Sequence, residues 1–274
     1  MRPDMQNKHS GRTTRDGIRI HDQADFEGMR KAGALAAQIL DDIAPHVTVG
    51  QTTGALDEMI EAMVNEAGAK SATIGYKGYR HASCISVNHV VCHGIPGDKV
   101  LKDGDILNID VTVIVDGWFG DTSRMYVAGT LSRKAERLIQ VTHDALMIGI
   151  DAVRPGNTFG DIGHAIQAYA EGHRMSVVRD FCGHGLGRVF HAPPNVVHFG
   201  RPGSGPTLEE GMFFTIEPMI NLGRPEVKTL ADDWTAVTRD KSLSAQFEHS
   251  VGVTADGAEI FTLSPGGLFH PTKA

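Results

Sequence analysis

The amino-acid sequence predicts an α+β domain built from two pseudo-symmetric halves around a mostly antiparallel sheet, and three internal correspondences carry that prediction. V-x-x-G-x-T-x-G occurs at Val47 to Gly54 and returns at Val153 to Gly160, an offset of 106 residues. Each copy runs into a stretch with apolar residues at i, i+3, i+4, i+7 and i+8, the spacing of one helix face. These are Leu56, Met59, Ile60, Met63 and Val64, then Ile162, Ala165, Ile166, Tyr169 and Ala170. Finally, L-K-D-G-D-I-L-N-I-D, ending at Asp110, matches L-E-E-G-M-F-F-T-I-E, ending at Glu217, at an offset of 107. One short motif recurs by chance; three in the same order do not.

Taken along the chain, residues 1 to about 20 are polar and mildly basic and are expected to form a flexible extension. Residues 21–274 are expected to form one domain, with halves at about 25–130 and 131–264. A helix is expected from Asp25 to Ala44, ahead of the first repeat motif, and another from Arg133 to Ala152, capped by Ser132, ahead of the second. Several strands follow in each half. The Gly- and Pro-rich run Gly200 to Pro206 reads as a surface loop, not a boundary.

Composition narrows the function classes. A chain of 274 residues buries a sizeable core without disulfide or metal staples. The net charge of -7, with no long single-sign block, argues against a nucleic-acid binder working through a basic patch. Cys84, Cys92 and Cys182 form no even framework and no C-x-x-C pair, so a reducing, cytoplasmic setting is expected and structural zinc is not. No apolar run approaches the length of a membrane span, and the N-terminus lacks the apolar core of a signal peptide.

The chemistry concentrates in carboxylates. From Leu107 to Val115 every odd position is apolar, so Asn108, Asp110 and Thr112 leave the core face. On the matching strand Glu217 opposes Phe214 and Ile216, and Glu248 opposes Ala245, Phe247 and Val251. A lone acid in such a pattern is usually a solvated strand face. Duplication alters the weighing, because acids at equivalent positions of two halves meet across the pseudo-axis and must protonate or bind a cation. Asp121, in W-F-G-D-T-S, lies one short turn beyond Asp110, and His184 sits in C-G-H-G-L-G. Alone, the first reads as a turn residue and the second as a loop histidine. Together the five carry a charge of about -4, which two divalent cations neutralise, and oxygen-rich ligation with one imidazole suits manganese, iron, cobalt or zinc. Such a pair activates water and polarises a carbonyl. H-E-x-x-H, G-x-S-x-G and Walker motifs are all missing from the sequence, which argues for hydrolysis by a dinuclear site.

At these residues the sequence resembles the type I methionine aminopeptidases. The likeness runs from about Asp25 to Leu263 and includes V-V-C-H-G-I-P, N-I-D-V-T, G-D-T-S, C-G-H-G-L-G, F-T-I-E-P-M and S-A-Q-F-E-H. It implies the pita-bread fold and removal of the initiator methionine from nascent chains when the second residue is small. By the same resemblance Asp110 would chelate one metal, His184 and Glu217 the other, while Asp121 and Glu248 would bridge both; Glu217 would also serve as general base. His93 would contact the scissile amide nitrogen and His191 the carbonyl oxygen. Tyr76, Tyr79, Cys84, Phe190 and Trp234 would line the methionine pocket, where an apolar, polarizable lining suits a thioether. A monomer working near the ribosome exit is the family expectation. The N-terminus carries no Cys/His-rich zinc segment.

Two other readings compete. A proline-specific aminopeptidase or dipeptidase would share the five ligands, but such relatives usually carry a separate N-terminal domain. A non-enzymatic binding protein would be expected to have lost ligands, and all five are present.

Overall fold

The structure is a computed structural model and describes residues 11–268. The first half runs through α1 (Gln23–Ile43), α2 (Thr53–Glu66), β1 (Lys70–Ser71), β2 (Ser83–Val87), β3 (Val90–Cys92), β4 (Asp105–Val115) and β5 (Trp118–Ala128). The second opens with α3 (Arg133–Asp151) and α4 (Phe159–Gly172), then β6 (Ser176–Val177), β7 (Gly183–Gly185), β8 (Ala192–Val196), β9 (Phe213–Ile216) and β10 (Met219–Asn221). It ends with β11 (Val227–Thr229), β12 (Ala236–Thr238), β13 (Ser244–Gln246), β14 (His249–Val253) and β15 (Ala258–Ile260).

Each helix starts where a side chain takes over an orphan N–H. Asp22 accepts from Ala24 and Asp25, and the Asp25 carboxylate returns to the Asp22 N–H, so α1 starts two residues before the expected position. Ser132 caps α3 as expected by accepting from Ala135.

The repeated octad acquires a physical meaning in each half. Val47 and Val153 are both 1% exposed and anchor the loop in the core. Gly50 and Gly156 have φ of 92° and 94°, a region that glycine alone enters freely. Their N–H groups donate to the carbonyls of Leu101 and Leu208, 2.9 and 3.0 Å away, tying each loop to the turn before β4 or β9. Thr52 and Thr158 then cap α2 and α4. Gly160 lies so close to the following loop that a Cβ would sit 2.5 Å from the Arg201 carbonyl.

Apolar periodicity sets the cores. Leu56, Ile60 and Val64 of α2 pack with Leu107, Ile109, Val111 and Val113 of β4 in one cluster. Ile162, Ile166 and Ala170 of α4 pack with Phe214, Ile216, Ala245, Phe247 and Val251 in another. Fully burying such a side chain stabilises by roughly 1.5–3 kcal/mol, so each helix pair is held to its own sheet face.

Every named strand pairing is antiparallel, and the ladders fall into four short sheets. A single bridge, Ser123↔Glu248, joins β5 of the first half to the strand entering β14 of the second. Glu248 donates its N–H to the Ser123 carbonyl at 3.1 Å, and the Thr122 hydroxyl donates to the Glu248 carbonyl at 2.7 Å. Nearby, Ser250 Oγ donates to the Asp121 carbonyl at 2.6 Å and Asn108 Nδ2 to the Gln246 carbonyl at 2.8 Å.

The extension expected at residues 1–20 is described only in its second part. Residues 1–10 lie outside the described residues; within 11–20 Thr13 pairs with Arg19 around a turn at Gly17, and Ile18 is 1% exposed within the second-half core, while most of its neighbours are exposed. One buried isoleucine outweighs the polarity of its neighbours.

Because Thr52 and Thr158 hold equivalent caps, Thr52→Ala and Thr158→Ala are each expected to lower unfolding free energy by about 1 kcal/mol. Urea denaturation monitored by far-UV circular dichroism checks this; midpoints equal to wild type would contradict the capping account.

Candidate active site and metal centre

Local strand geometry aims the acids at one place. Asp110 sits in the middle of β4, opposite Cys84 on one side and Ser123 on the other, and its odd-numbered neighbours are buried on the opposite face. Asp121 on β5 lies opposite Thr112, whose hydroxyl donates to Asp121 Oδ1 at 2.7 Å. Glu217 occupies the break between β9 and β10, and the flanking pairs Ile216↔His249 and Met219↔Gln246 put it across from Glu248. Thr215 Oγ1 donates to Glu217 Oε1 at 2.7 Å, and Gln246 Nε2 approaches Oε2 at 3.3 Å. His184 lies on β7 with Nδ1 3.1 Å from the Gly185 carbonyl, which assigns the ring hydrogen to Nδ1 and leaves Nε2 for the acids.

All five line one cavity of about 860 Å³. Asp121, His184 and Glu248 each bring one ligand atom within 4.8 Å of the others. His184 Nε2 is 3.5 Å from Asp121 Oδ2 and 3.8 Å from Glu217 Oε1. Asp110 stands outside this compact trio but faces the same space.

Electrostatics inside the cleft are adverse. Burial, reinforced by the charges of Asp121 and Glu217, pushes Asp110 well above the usual carboxylate range, and burial with the same neighbours does so to Glu248. Burial also lifts Glu217 to about 7, against the opposing pull of His184. Burial alone would lower His184, but the hydrogen bond to Asp121 and the charges of Glu217 and Asp121 raise it. Among the described residues no lysine or arginine forms an ion pair with any of the four acids. An oxygen-rich donor set with one imidazole, crowded and short of cations, fits divalent metals.

The remaining residues singled out in the sequence line the same cavity: His93, His191, Tyr76, Tyr79, Cys84, Phe190 and Trp234. The His191 ring lies 4.1 Å from those of His184 and Phe190 and 5.1 Å from Tyr76. Trp234 packs at 4.9 Å from Tyr79 and 6.0 Å from His93. Burial lowers both catalytic candidates, His191 to about 4, so both imidazoles are neutral near pH 7. Their ring hydrogens can be shared in hydrogen bonds but not carried as charge.

Sequence reasoning missed several neighbours. Phe181, Cys182 and Met219 also line the cavity; Cys182 and Met219 lie within quoted motifs and Phe181 next to one, but nothing in the pattern separates them from core. Thr112 and Thr215 share the polar rows of Asp110 and Glu217, so strand alternation was a usable signal for them. His198 had none: it is fully buried, and only the fold shows its Nε2 3.0 Å from the Glu217 N–H.

Comparison with known proteins settles the family. Residues 27–255 match the family model described as Metallopeptidase family M24. The chain belongs to metallopeptidase family M24. A relative in that family, the methionine aminopeptidase of Rickettsia prowazekii, is 58% identical over 255 residues, covering 93% of this chain and 98% of the relative. The crystal structure of methionine aminopeptidase from Rickettsia prowazekii superposes with a TM-score of 0.89 at 59% identity, covering 90% of this chain and all (100%) of that one. A prolidase from Pyrococcus horikoshii gives a TM-score of 0.71 at 19% identity, covering 89% of this chain and 63% of the prolidase, a likeness of fold alone. The fold is the pita-bread fold of this family, which needs divalent metals.

Metal must displace protons from the raised Glu217, Asp110 and Glu248. Below about 7 Glu217 holds its proton, so binding weakens as pH falls and strengthens as pH rises through that value. The rise in melting temperature on adding manganese to chelator-treated protein is therefore expected to be larger at pH 8 than at pH 6. Equal rises at the two pH values would contradict the reading.

Proposed function

We infer that this chain is a metalloaminopeptidase that hydrolyses the first peptide bond of a protein or peptide beginning with methionine. The observation that supports this most is a single cavity lined both by the acid and histidine cluster and by Tyr76, Tyr79, Cys84, Phe190 and Trp234. An apolar pocket containing rings and a thiol accepts an unbranched thioether, and burial keeps the Cys84 thiol protonated and neutral.

In this reading Asp110, Asp121, His184, Glu217 and Glu248 would together hold the divalent metals. Two divalent metals bound there supply the Lewis acidity that lowers the pKa of a water and polarises the scissile carbonyl. Glu217 accepts the proton of the attacking water and passes it to the departing amine. His191, neutral, donates a hydrogen bond to the carbonyl oxygen as negative charge develops, and His93 contacts the amide nitrogen. The C–N bond breaks, releasing methionine and a shortened chain with a new amino terminus. A small second residue is preferred where the substrate main chain passes the metals.

We further propose that the substrates are nascent polypeptides met near the ribosome exit, and that the enzyme works as a cytoplasmic monomer. Among the described residues no helix is long and apolar enough to cross a membrane. The likeness to prolidases is of fold, while identity of 58% to a methionine aminopeptidase favours methionine over Xaa-Pro substrates.

Met-Ala and Met-Gly peptides are expected to turn over far faster than Xaa-Pro peptides, with activity lost on chelation and regained on metal add-back. Asp110→Ala and Glu248→Ala should remove turnover and leave the far-UV spectrum unchanged. Preference for Xaa-Pro, or undiminished turnover in either variant with added metal, would overturn the assignment.

A further inference from the structure

Asp110 and Glu217 occupy equivalent positions in the two halves, yet their main chains are supported differently. Asp110 lies inside an unbroken strand and is flanked by Cys84 on β2 and Ser123 on β5, so the ladder fixes its backbone. At Glu217 the strand stops. Pro218 follows and has no N–H to offer, and the neighbour on one flank changes from β7, which pairs at Gly185↔Phe214, to β6, which pairs at Ile220↔Val177. Glu217 falls in the gap between them, and its N–H is taken by a side chain: His198 Nε2, 3.0 Å away.

His198 follows β8 and is 0% exposed. Since Nε2 accepts a hydrogen bond, the ring hydrogen is on Nδ1. That nitrogen is buried without a partner among the described residues. An apolar side chain would fill the space without stranding a donor, so packing alone does not account for a histidine here; an acceptor for the Glu217 N–H does. Thr215 and Gln246 hold the carboxylate, and His198 holds the main chain behind it.

We propose that His198 is a positioning residue: it anchors the Glu217 main chain at the strand break and thereby sets the geometry with which Glu217 and His184 hold metal. The proposal rests on the reading of Glu217 as a metal-contacting carboxylate. Hydrogen-bonding partners behind metal ligands typically change affinity by about 10–100-fold when removed.

The test is calorimetric titration of manganese into chelator-treated full-length wild type, His198→Phe, His198→Gln and Glu217→Gln, with thermal unfolding of each. His198→Phe fills the space but accepts nothing and should weaken metal binding at least about tenfold, whereas His198→Gln, whose amide oxygen reaches as far as Nε2, should restore it. Wild-type affinity in His198→Phe alongside weakened affinity in Glu217→Gln would overturn the positioning role alone. Wild-type affinity in Glu217→Gln would overturn the reading of Glu217 and the proposal with it. If His198→Phe fails to fold, His198→Asn, whose amide is too short, takes its place: affinity below that of His198→Gln supports the proposal, and equal affinity overturns it.

Discussion

Backbone pairing between Ser123 and Glu248, together with the β3–β12 ladder, joins the two halves, and all four acids line one cleft at this seam. Glu248 is one partner of that bridge and Asp121 lies two residues before the other, and they are 2% and 3% exposed. Carboxylates brought so close out of water repel one another and lose hydration, so without metal Asp110, Glu217 and Glu248 hold protons well above the ordinary carboxylate range. Two divalent cations remove that conflict. Fold and chemistry are therefore one problem: the packing that closes the domain also creates the site's need for metal.

The two halves solve the same task unequally. Asp110 rides on an eleven-residue strand paired on both sides, and its backbone geometry follows from the ladder. Its counterpart Glu217 stands where the ladder is interrupted, and side chains take over: Thr215, Gln246 and His198. The flanking strand pairs place Glu217 across from Glu248, and its carboxylate lies 3.8 Å from His184. The site is thus held by regular strand pairing on one side and by side-chain hydrogen bonds on the other.

Much of this was legible in the sequence because it rests on periodicity. Strand alternation put Asp110, Glu217 and Glu248 on polar rows, and the octad marked both helix starts, since each of its residues answers a local need for a buried anchor, a positive φ, a cap or a close approach. Asp121 and His184 were weaker signals: alone they read as turn and loop residues, and they joined the ligand set through their place beside Asp110 and the summed charge of the five, whereas His93 and His191 were singled out only by resemblance to a family. What escaped depends on contacts between distant segments. Ile18 sits in a polar stretch whose average hid its burial, and His198 meets Glu217 across 19 residues, in a gap between strands that no local pattern describes.

The central claim is that the seam between the halves is a site for two metals. Anomalous diffraction from crystals grown with manganese measures this directly. The account predicts two peaks roughly 3.5–4 Å apart, both in contact with Asp121 and Glu248, with Asp110 on one and His184 and Glu217 on the other. A cleft without peaks at full metal loading, or peaks only elsewhere on the molecule, would contradict it.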